Sequence, residues 1–595
     1  MAKRPIFLIG DTAWMLWKAS NADIDTYIET RAAQGFNMIN LNCLFDVANN
    51  LSANQSRDNT QPASPQLVDS GTASAISTTT VTLESGHSFS TNSLVGYQLR
   101  INSASTNSDQ DRIITANTNA NPSVVTLTGS SWGDGTPTGT IQYGIAKPWT
   151  DPVEAKFQEN YMQIIDYIID KAATEGMYVY LVTMWGGDFF FLTGNISSPS
   201  VVRSDIATAL GNWIGNRYKD KPNVIHALLG EYHENKALST NQVTLVNAFG
   251  NGIEAVAPNQ LKTIHPDGGL SSSDYFNSGS TWLDFHSLQT YQVASNSDTD
   301  MTVDYNTTPA RPIGNAEPAY EEGGRGVNDA VTIDGYYCRY EAYNNVFQGA
   351  AYYTYGNNNV WRWINSPLSH LTQAGALSMP RLKNLVESRP LVGAPSSIVN
   401  SSGTYYGTSI TYTSGGTYQV VAGDIITGAT SGATATVIGV ALSSGTWAGG
   451  DAGGTFYLKF QSGTFQSENL NVGANSNVAT IAGNSSASFT TNNKVRGMIG
   501  PGLDYTMVYF YGSAVTKTLN LNLLTAATSI LNYWWFNPRD GLCYTQSNTV
   551  TTAPVGQIAK GSAVSFTSPG SGSTNDWVLV VEDPSITTTY GQPGA

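Results

Sequence analysis

The feature that most constrains this chain is a rhythm. Across residues 5–60 and 146–395, short apolar runs alternate with stretches of helical spacing. The runs are "PIFLIGD", "FNMINLN", "YVYLVTMWG", "VIHALLGE", "LKTIHPD", "LDFHSLQTY", "RPIGNAEP" and "GAAYYTYG". Each is short, apolar and bounded by Gly, Pro, Asn or Asp, as buried strands are. Between most of them lie helix patterns with recognisable ends. "NADIDTYIETRAAQG" begins on capping residues and stops at Gly35, and "DPVEAKFQENYMQIIDYIIDKAATEG" stops at Gly176. "SDIATALGNWIGNRY" and "TNQVTLVNAFGNGIEAV" read the same way. Eight strands, each feeding a helix or a long loop, predict an α/β fold of the (β/α)8 TIM-barrel type; a doubly wound sheet shares much of the pattern.

Two stretches break the rhythm. Residues 61–145 ("TTTVTLES", "YQLRINSA", "DRIITANT", "SVVTLTGS") and 401–492 ("TYQVVAGDIITGATSGATATVIGV", "TFYLKFQSGTF") are strand-like with almost no helical signal. The division expected is a catalytic barrel over 1–60 and 146–400, an inserted β module over 61–145, a second β module over 401–492, and a C-terminal β-sandwich over 493–595. A long insertion in a surface loop adds little closure entropy, so the barrel tolerates it.

Composition removes several function classes. The formal charge of −15 and pI near 4.8 argue against a nucleic-acid surface. The three cysteines, Cys43, Cys338 and Cys543, are far apart and build neither a disulfide framework nor a metal motif. "MAKRPIFLIGDTAW" lacks the long apolar core of a Sec signal, and no run of 18 apolar residues predicts a membrane span. Low charge with abundant Gly, Ser, Thr and Asn suits extracellular or virion proteins.

Barrel enzymes place chemistry at the C-terminal ends of their strands. Read so, the first strand ends at Asp11, with Trp14 just beyond, and the second at Asn42. The third ends at Trp185 and Asp188, the fourth at Glu231 followed by His233, and the fifth at His265. The sixth contributes His286 and Tyr291, the seventh Glu317, and the eighth Tyr355 followed by Trp361. Each has a plain alternative: Trp14 and Trp361 as core packing, His226 as a hydrogen-bonded core residue, Glu234 and Asp267 as loop acids. Glycosidic cleavage needs a proton donor and a second carboxylate at the anomeric centre, and two strand-end glutamates supply that pair. Tryptophan and tyrosine suit sugar faces. No nucleophile-elbow serine and no HExxH zinc motif occurs. His233, His265 and His286 have no metal-ligand spacing, so no metal and no cofactor is expected.

"FLIGDTAWMLW", "IETRAAQGFNMINLN", "LLGEYHE", "GNAEPAYEE" and "FQGAAYYTYGNNNVWRW" resemble, in the same order, the apiosidase-like DUF4038 family of (β/α)8 glycoside hydrolases. "YWWFNPRDGLCY" and "FTSPGSGSTNDWVLVVED" resemble the family's usual C-terminal β domain, which carries a collagen-binding label. The resemblance implies a retaining glycosidase with Glu231 as acid/base and Glu317 as nucleophile. This chain has Leu229-Gly230-Glu231 where the family commonly has Gly-Gly-Asp, so an apiose-type specificity does not transfer. The two β insertions are foreign to the family and look like modules of phage-tail proteins. They imply a virion-associated, extracellular enzyme acting on a bacterial surface polysaccharide, with other virion proteins as partners. The competing reading is a receptor-binding virion protein that holds glycan without cutting it. A nucleophile that must stay ionised leads to one further expectation: a Tyr or His on the sixth strand donates to Glu317.

Overall fold

The computed structural model describes residues 6–44, 67–103, 110–128, 136–146, 159–193, 204–232, 238–290, 301, 304, 307, 309–323, 333–389, 394–395, 408–416, 418–420, 424–483, 486–487, 496–510, 514–524, 528–570 and 575–595. The eight predicted strands are all present: β1 (Leu8–Thr12), β2 (Met38–Leu44), β3 (Tyr178–Trp185), β4 (Val224–Gly230), β5 (Lys262–Thr263), β6 (His286–Gln289), β7 (Ile313–Glu317) and β8 (Tyr352–Tyr355). They form one sheet in the order β5-β4-β3-β2-β1-β8-β7-β6, all neighbours parallel, with a short antiparallel strand, Leu270–Ser271, added beyond β6.

That order is the cyclic order of a barrel, and side chains inside the sheet show how far it curls. Tyr180 on β3 and Ser287 on β6 are five strand spacings apart in the ladder, about 24 Å in a flat sheet, yet their hydroxyls are 3.0 Å apart. Tyr352 on β8 donates to the same Ser287 hydroxyl at 2.7 Å. Thr263 on β5 lies 2.9 Å from it. The two ends of the sheet meet through the Asp284 amide on the Lys262 carbonyl (2.9 Å) and the Thr263 hydroxyl on the Phe285 carbonyl (2.8 Å). No strand ladder joins β5 to β6 among the described residues, because β5 is only two residues long. The sheet is therefore a curled one with touching ends, and the full (β/α)8 closure expected is seen to that extent.

The helices are α1 (Asn21–Gln34), α2 (Glu159–Thr174), α3 (Gly186–Thr193), α4 (Ser204–Tyr218), α5 (Thr240–Val256), α6 (Gly335–Phe347) and α7 (Ala374–Glu387). Helix α1 starts where Ser20 caps the Asp23 amide and stops where Gly35 turns left-handed at φ 101°, a conformation that costs glycine nothing. It buries Ile24, Tyr27, Ile28 and Arg31, one stripe at helical spacing. Helix α5 opens with a capping box between Ser239 and Gln242.

Two seven-stranded antiparallel sheets stand apart from this core. One, within residues 67–146, closes over Val81, Leu99, Ile101, Ile114, Val125 and Ile145. The other, within 408–487, closes over Ile410, Tyr412, Val437, Phe456, Leu458 and Ile481. The C-terminal sheet runs through 394–395, 496–499, 505–510, 577–582, 530–537 and 542–544. Residues 394–395, assigned above to the barrel, pair with 496–499, so the 408–487 sheet is inserted inside this C-terminal unit. The strand "YTMVYF" is buried at every position because both faces are covered. Met507 and Tyr509 join the core of the α/β unit, while Val508 and Phe510 face a two-stranded layer, 516–519 with 564–567. Buried ion pairs, Arg339 with Asp576 and Arg389 with Glu582, tie the two units together.

Candidate active site

Strand β7 ends at Glu317, whose residue is 5 % exposed. A carboxylate so buried needs a donor, and His265 reaches it: its Nε2 lies 3.0 Å from Glu317 Oε2. The Tyr320 phenol is nearby; burial, then the Glu317 charge, pushes it well above its ordinary value. Trp14 Nε1 donates to the Tyr320 oxygen at 2.9 Å. The Trp14 ring in turn packs edge-on against His265 (centroids 5.2 Å) and Trp185 (5.8 Å). Trp361 lies 5.9 Å from Tyr320, ring to ring, and Arg362 sits over its outer face.

Glu231 follows directly after β4. Its φ of 42° is left-handed, which costs a non-glycine residue on the order of 1 kcal/mol. The residue before it must be glycine: a Cβ on Gly230 would lie 1.7 Å from the Trp185 ring. This cramped turn aims the Glu231 carboxylate inward, where Gln289 Nε2 donates to its Oε1 at 3.1 Å. Gln289 is also the ladder partner of Glu317. The two glutamates are thus linked through one residue, and the Tyr320 phenol feels the charge of both.

The other predicted residues divide. Trp14, Trp185, His265 and Trp361 gather around the glutamates as just described. Asn42 is buried on the inner face of β2, its amide without a hydrogen-bond partner among the described residues. Asp11 does not belong to the pocket. Strand alternation turns it outward onto α1, where it accepts from Tyr27 (2.6 Å) and Arg31 (2.7 Å). Tyr355 also faces outward and donates to Glu321, which in turn accepts from the Gly375 amide near the start of α7. His286 begins β6 instead of ending it. It lies against Ser272 (3.1 Å), and burial, with the Arg311 charge nearby, lowers it to about 4. The donor expected from the sixth strand therefore comes from His265, after β5. His233 and Tyr291 lie outside the described residues, as does the side chain of Asp188.

Tyr320 and Gln289 escaped the sequence reading. "EPAY" carried the one signal available for Tyr320, a phenol three residues past a strand-end acid. Gln289 has none, since nothing local marks a glutamine as the ladder partner of a distant glutamate.

A curled parallel sheet thus carries two glutamates at the C-terminal ends of β4 and β7, with indoles and a phenol around them. The chain belongs to the family described as "Apiosidase-like, catalytic domain", whose model matches residues 1–393. A second model, "Putative collagen-binding domain of a collagenase", matches residues 481–582. Two solved structures resemble the whole chain. One, titled a glycoside hydrolase, has a TM-score of 0.57 at 18 % identity, covering 98 % of this chain and 93 % of its own. The other, a glycoside hydrolase family 5 protein from Bacteroides vulgatus, has a TM-score of 0.57 at 17 % identity, covering 99 % and 91 %. At such identities the likeness is one of fold. No curated protein matches the chain.

Proposed function

We propose that the protein is a retaining glycoside hydrolase, with Glu317 as nucleophile and Glu231 as acid/base, acting on a bacterial surface or extracellular polysaccharide. The observation that carries this reading is that two strand-end carboxylates are linked through one residue, Gln289, which donates to Glu231 and pairs with Glu317 in the ladder. Glu317 is fixed by His265, with the Tyr320 phenol close by, as a carboxylate that attacks an anomeric carbon must be. Glu231 has a neutral amide donor, Gln289, on a carboxyl set at a strained turn. In the first step Glu317 bonds the anomeric carbon while Glu231 gives its proton to the departing glycosidic oxygen. In the second, Glu231 takes a proton from water, whose oxygen displaces Glu317. This route calls for carboxyl groups about 5–5.5 Å apart. Trp185 and Trp361, both partly exposed, supply flat apolar faces for sugar rings, while the fully buried Trp14 packs behind them. The two β modules with cores of their own are compatible with a virion-borne, extracellular setting, which is part of the same proposal.

The test is incubation with a panel of bacterial capsular and exopolysaccharides, with proton NMR of the first product. Cleavage with retained anomeric configuration, abolished in Glu317→Gln, is expected. An inverted first product overturns the retaining mechanism, and full activity in Glu317→Gln overturns the assignment of the nucleophile.

A further inference from the structure

Helix α6 is held from both sides. Residues two apart on a helix point about 200° away from each other, and α6 uses this. Arg339 and Tyr343 face the C-terminal sheet. Arg339 grips Asp576 with Nε and Nη2, both at 3.0 Å, and Tyr343 stacks on Tyr509 with centroids 5.0 Å apart. Glu341 and Asn345 face the other way, onto β7.

Glu341 is completely buried, and no cation pairs with it among the described residues. Burial pushes its carboxyl up to about 7. An acid in such a place is expensive, and what it holds is specific. Its Oε1 accepts from the Thr290 hydroxyl and, at 3.5 Å, from Asn315 Nδ2; its Oε2 accepts from the Ala319 amide at 3.2 Å. Thr290 is the residue after Gln289. Asn315 and Ala319 lie two residues either side of Glu317, and Asn315 Oδ1 accepts the Glu317 backbone amide at 3.2 Å. Asn315 Nδ2 further donates to Thr290 (2.9 Å) and to Asn345 (3.0 Å), closing the network. One buried carboxyl group therefore clamps the ends of β6 and β7, the two strands that carry Gln289 and Glu317.

We propose that Glu341 is a positioning residue for Glu317: it fixes the ends of β6 and β7 so that the Glu317 carboxylate stays on His265 while Gln289 stays on Glu231. This rests on the reading of Glu317 as nucleophile. Glu341 touches no substrate and acts through Asn315, Ala319 and Thr290. In Glu341→Gln the volume is kept, but the new amide nitrogen meets the Ala319 N–H donor to donor, or meets Thr290 and Asn315 if it is flipped. Thr290→Val removes one donor at similar shape and leaves the acid in place.

The test measures kcat, KM and melting temperature for Glu341→Gln, Thr290→Val and Glu317→Gln on the substrate found by the polysaccharide panel, with crystal structures of the first two. Displacing a reacting group by about 1 Å costs about 10²-fold in rate, so a kcat loss of that order with little change in KM is expected for Glu341→Gln. A smaller loss is expected for Thr290→Val, with Glu317 displaced from His265 in both crystal structures. Wild-type kcat in both variants while Glu317→Gln is inactive overturns the positioning role and leaves the nucleophile standing. An active Glu317→Gln instead overturns the nucleophile. A kcat loss that only tracks the folded fraction assigns Glu341 to stability alone. Should Glu341→Gln not fold, Thr290→Val decides. The crystal structures decide without any substrate: a Glu317–His265 contact unchanged from 3.0 Å refutes the proposal.

Discussion

Replacing Gln289 by leucine isolates one hydrogen bond in the pocket. Gln289 is fully buried, its Nε2 donates to Glu231 Oε1 at 3.1 Å, and its own Oε1 has no partner among the described residues. Leucine of similar size therefore removes that bond and leaves no new polar atom stranded on residue 289. A hydrogen bond to a charged group is worth about 1.5–3 kcal/mol net, and it favours the charged form of the acceptor. Its loss makes Glu231 harder to ionise. At about 1.4 kcal/mol per pH unit, the change corresponds to about one to two units. The acid that must be protonated for the first step sets the basic limb of the kcat/KM profile of the free enzyme. That limb should move to higher pH by about this amount in Gln289→Leu. The measurement is initial rate against pH for both proteins, with melting curves to confirm that the variant is folded at each pH. A basic limb that stays put, or moves to lower pH, refutes the assignment of Glu231 as the proton donor fed by Gln289.

Asp11→Ala leaves the buried Arg31 guanidinium without its carboxylate, so stability should fall by about 3–5 kcal/mol, read by thermal melting, while KM of the folded fraction stays constant. Trp14→Phe removes the donor to Tyr320 and should cut kcat of the folded fraction about five- to tenfold, from about 1–1.5 kcal/mol for a neutral hydrogen bond, while the smaller ring in this fully buried site lowers the melting temperature. His226 is lowered to about 4 by burial, so the folded state keeps it neutral while the unfolded state protonates it near 6.5. The stability this contributes is full above pH 6.5 and is lost as pH falls from 6.5 towards 4, at about 1.4 kcal/mol per unit. Melting curves from pH 7 to 4.5 should accordingly fall less steeply in His226→Gln than in the wild type.

The strands and helices were legible because their signals are local. Ser20, Gly35 and Gly176 act on their immediate neighbours, and the apolar stripe of α1 is a matter of spacing along one helix. Glu317 stands at the end of a strand in the structure for the same reason: "RPIGNAEP" runs apolar up to the acid, and Pro318 has no N–H with which to continue the ladder. His286 was misplaced because "LDFHSLQTY" does not say where along an apolar run the pairing begins. Residues 394–395 went to the wrong unit because two residues carry too little pattern to show which sheet they join.

What only the tertiary structure decided is which way the strand-end side chains point and whom they meet. Asp11 lies one residue short of the end of β1 and Glu317 ends β7, yet Asp11 turns onto Arg31 outside the sheet and Glu317 onto His265 inside it. The difference lies in register. Strand alternation fixes relative direction along one strand, while the absolute phase depends on how all eight strands are paired, and at β7 a bulge shifts it between Leu288 and Gln289 of the neighbouring strand. Gln289 beside Glu231, and Glu341 behind Glu317, follow from that pairing and from the curl that brings strands five spacings apart into contact. The sequence alone determined the elements and the kinds of side chain at their ends, because both depend on neighbours along the chain; the pairing of distant carboxylates depends on through-space closure, which local pattern does not encode.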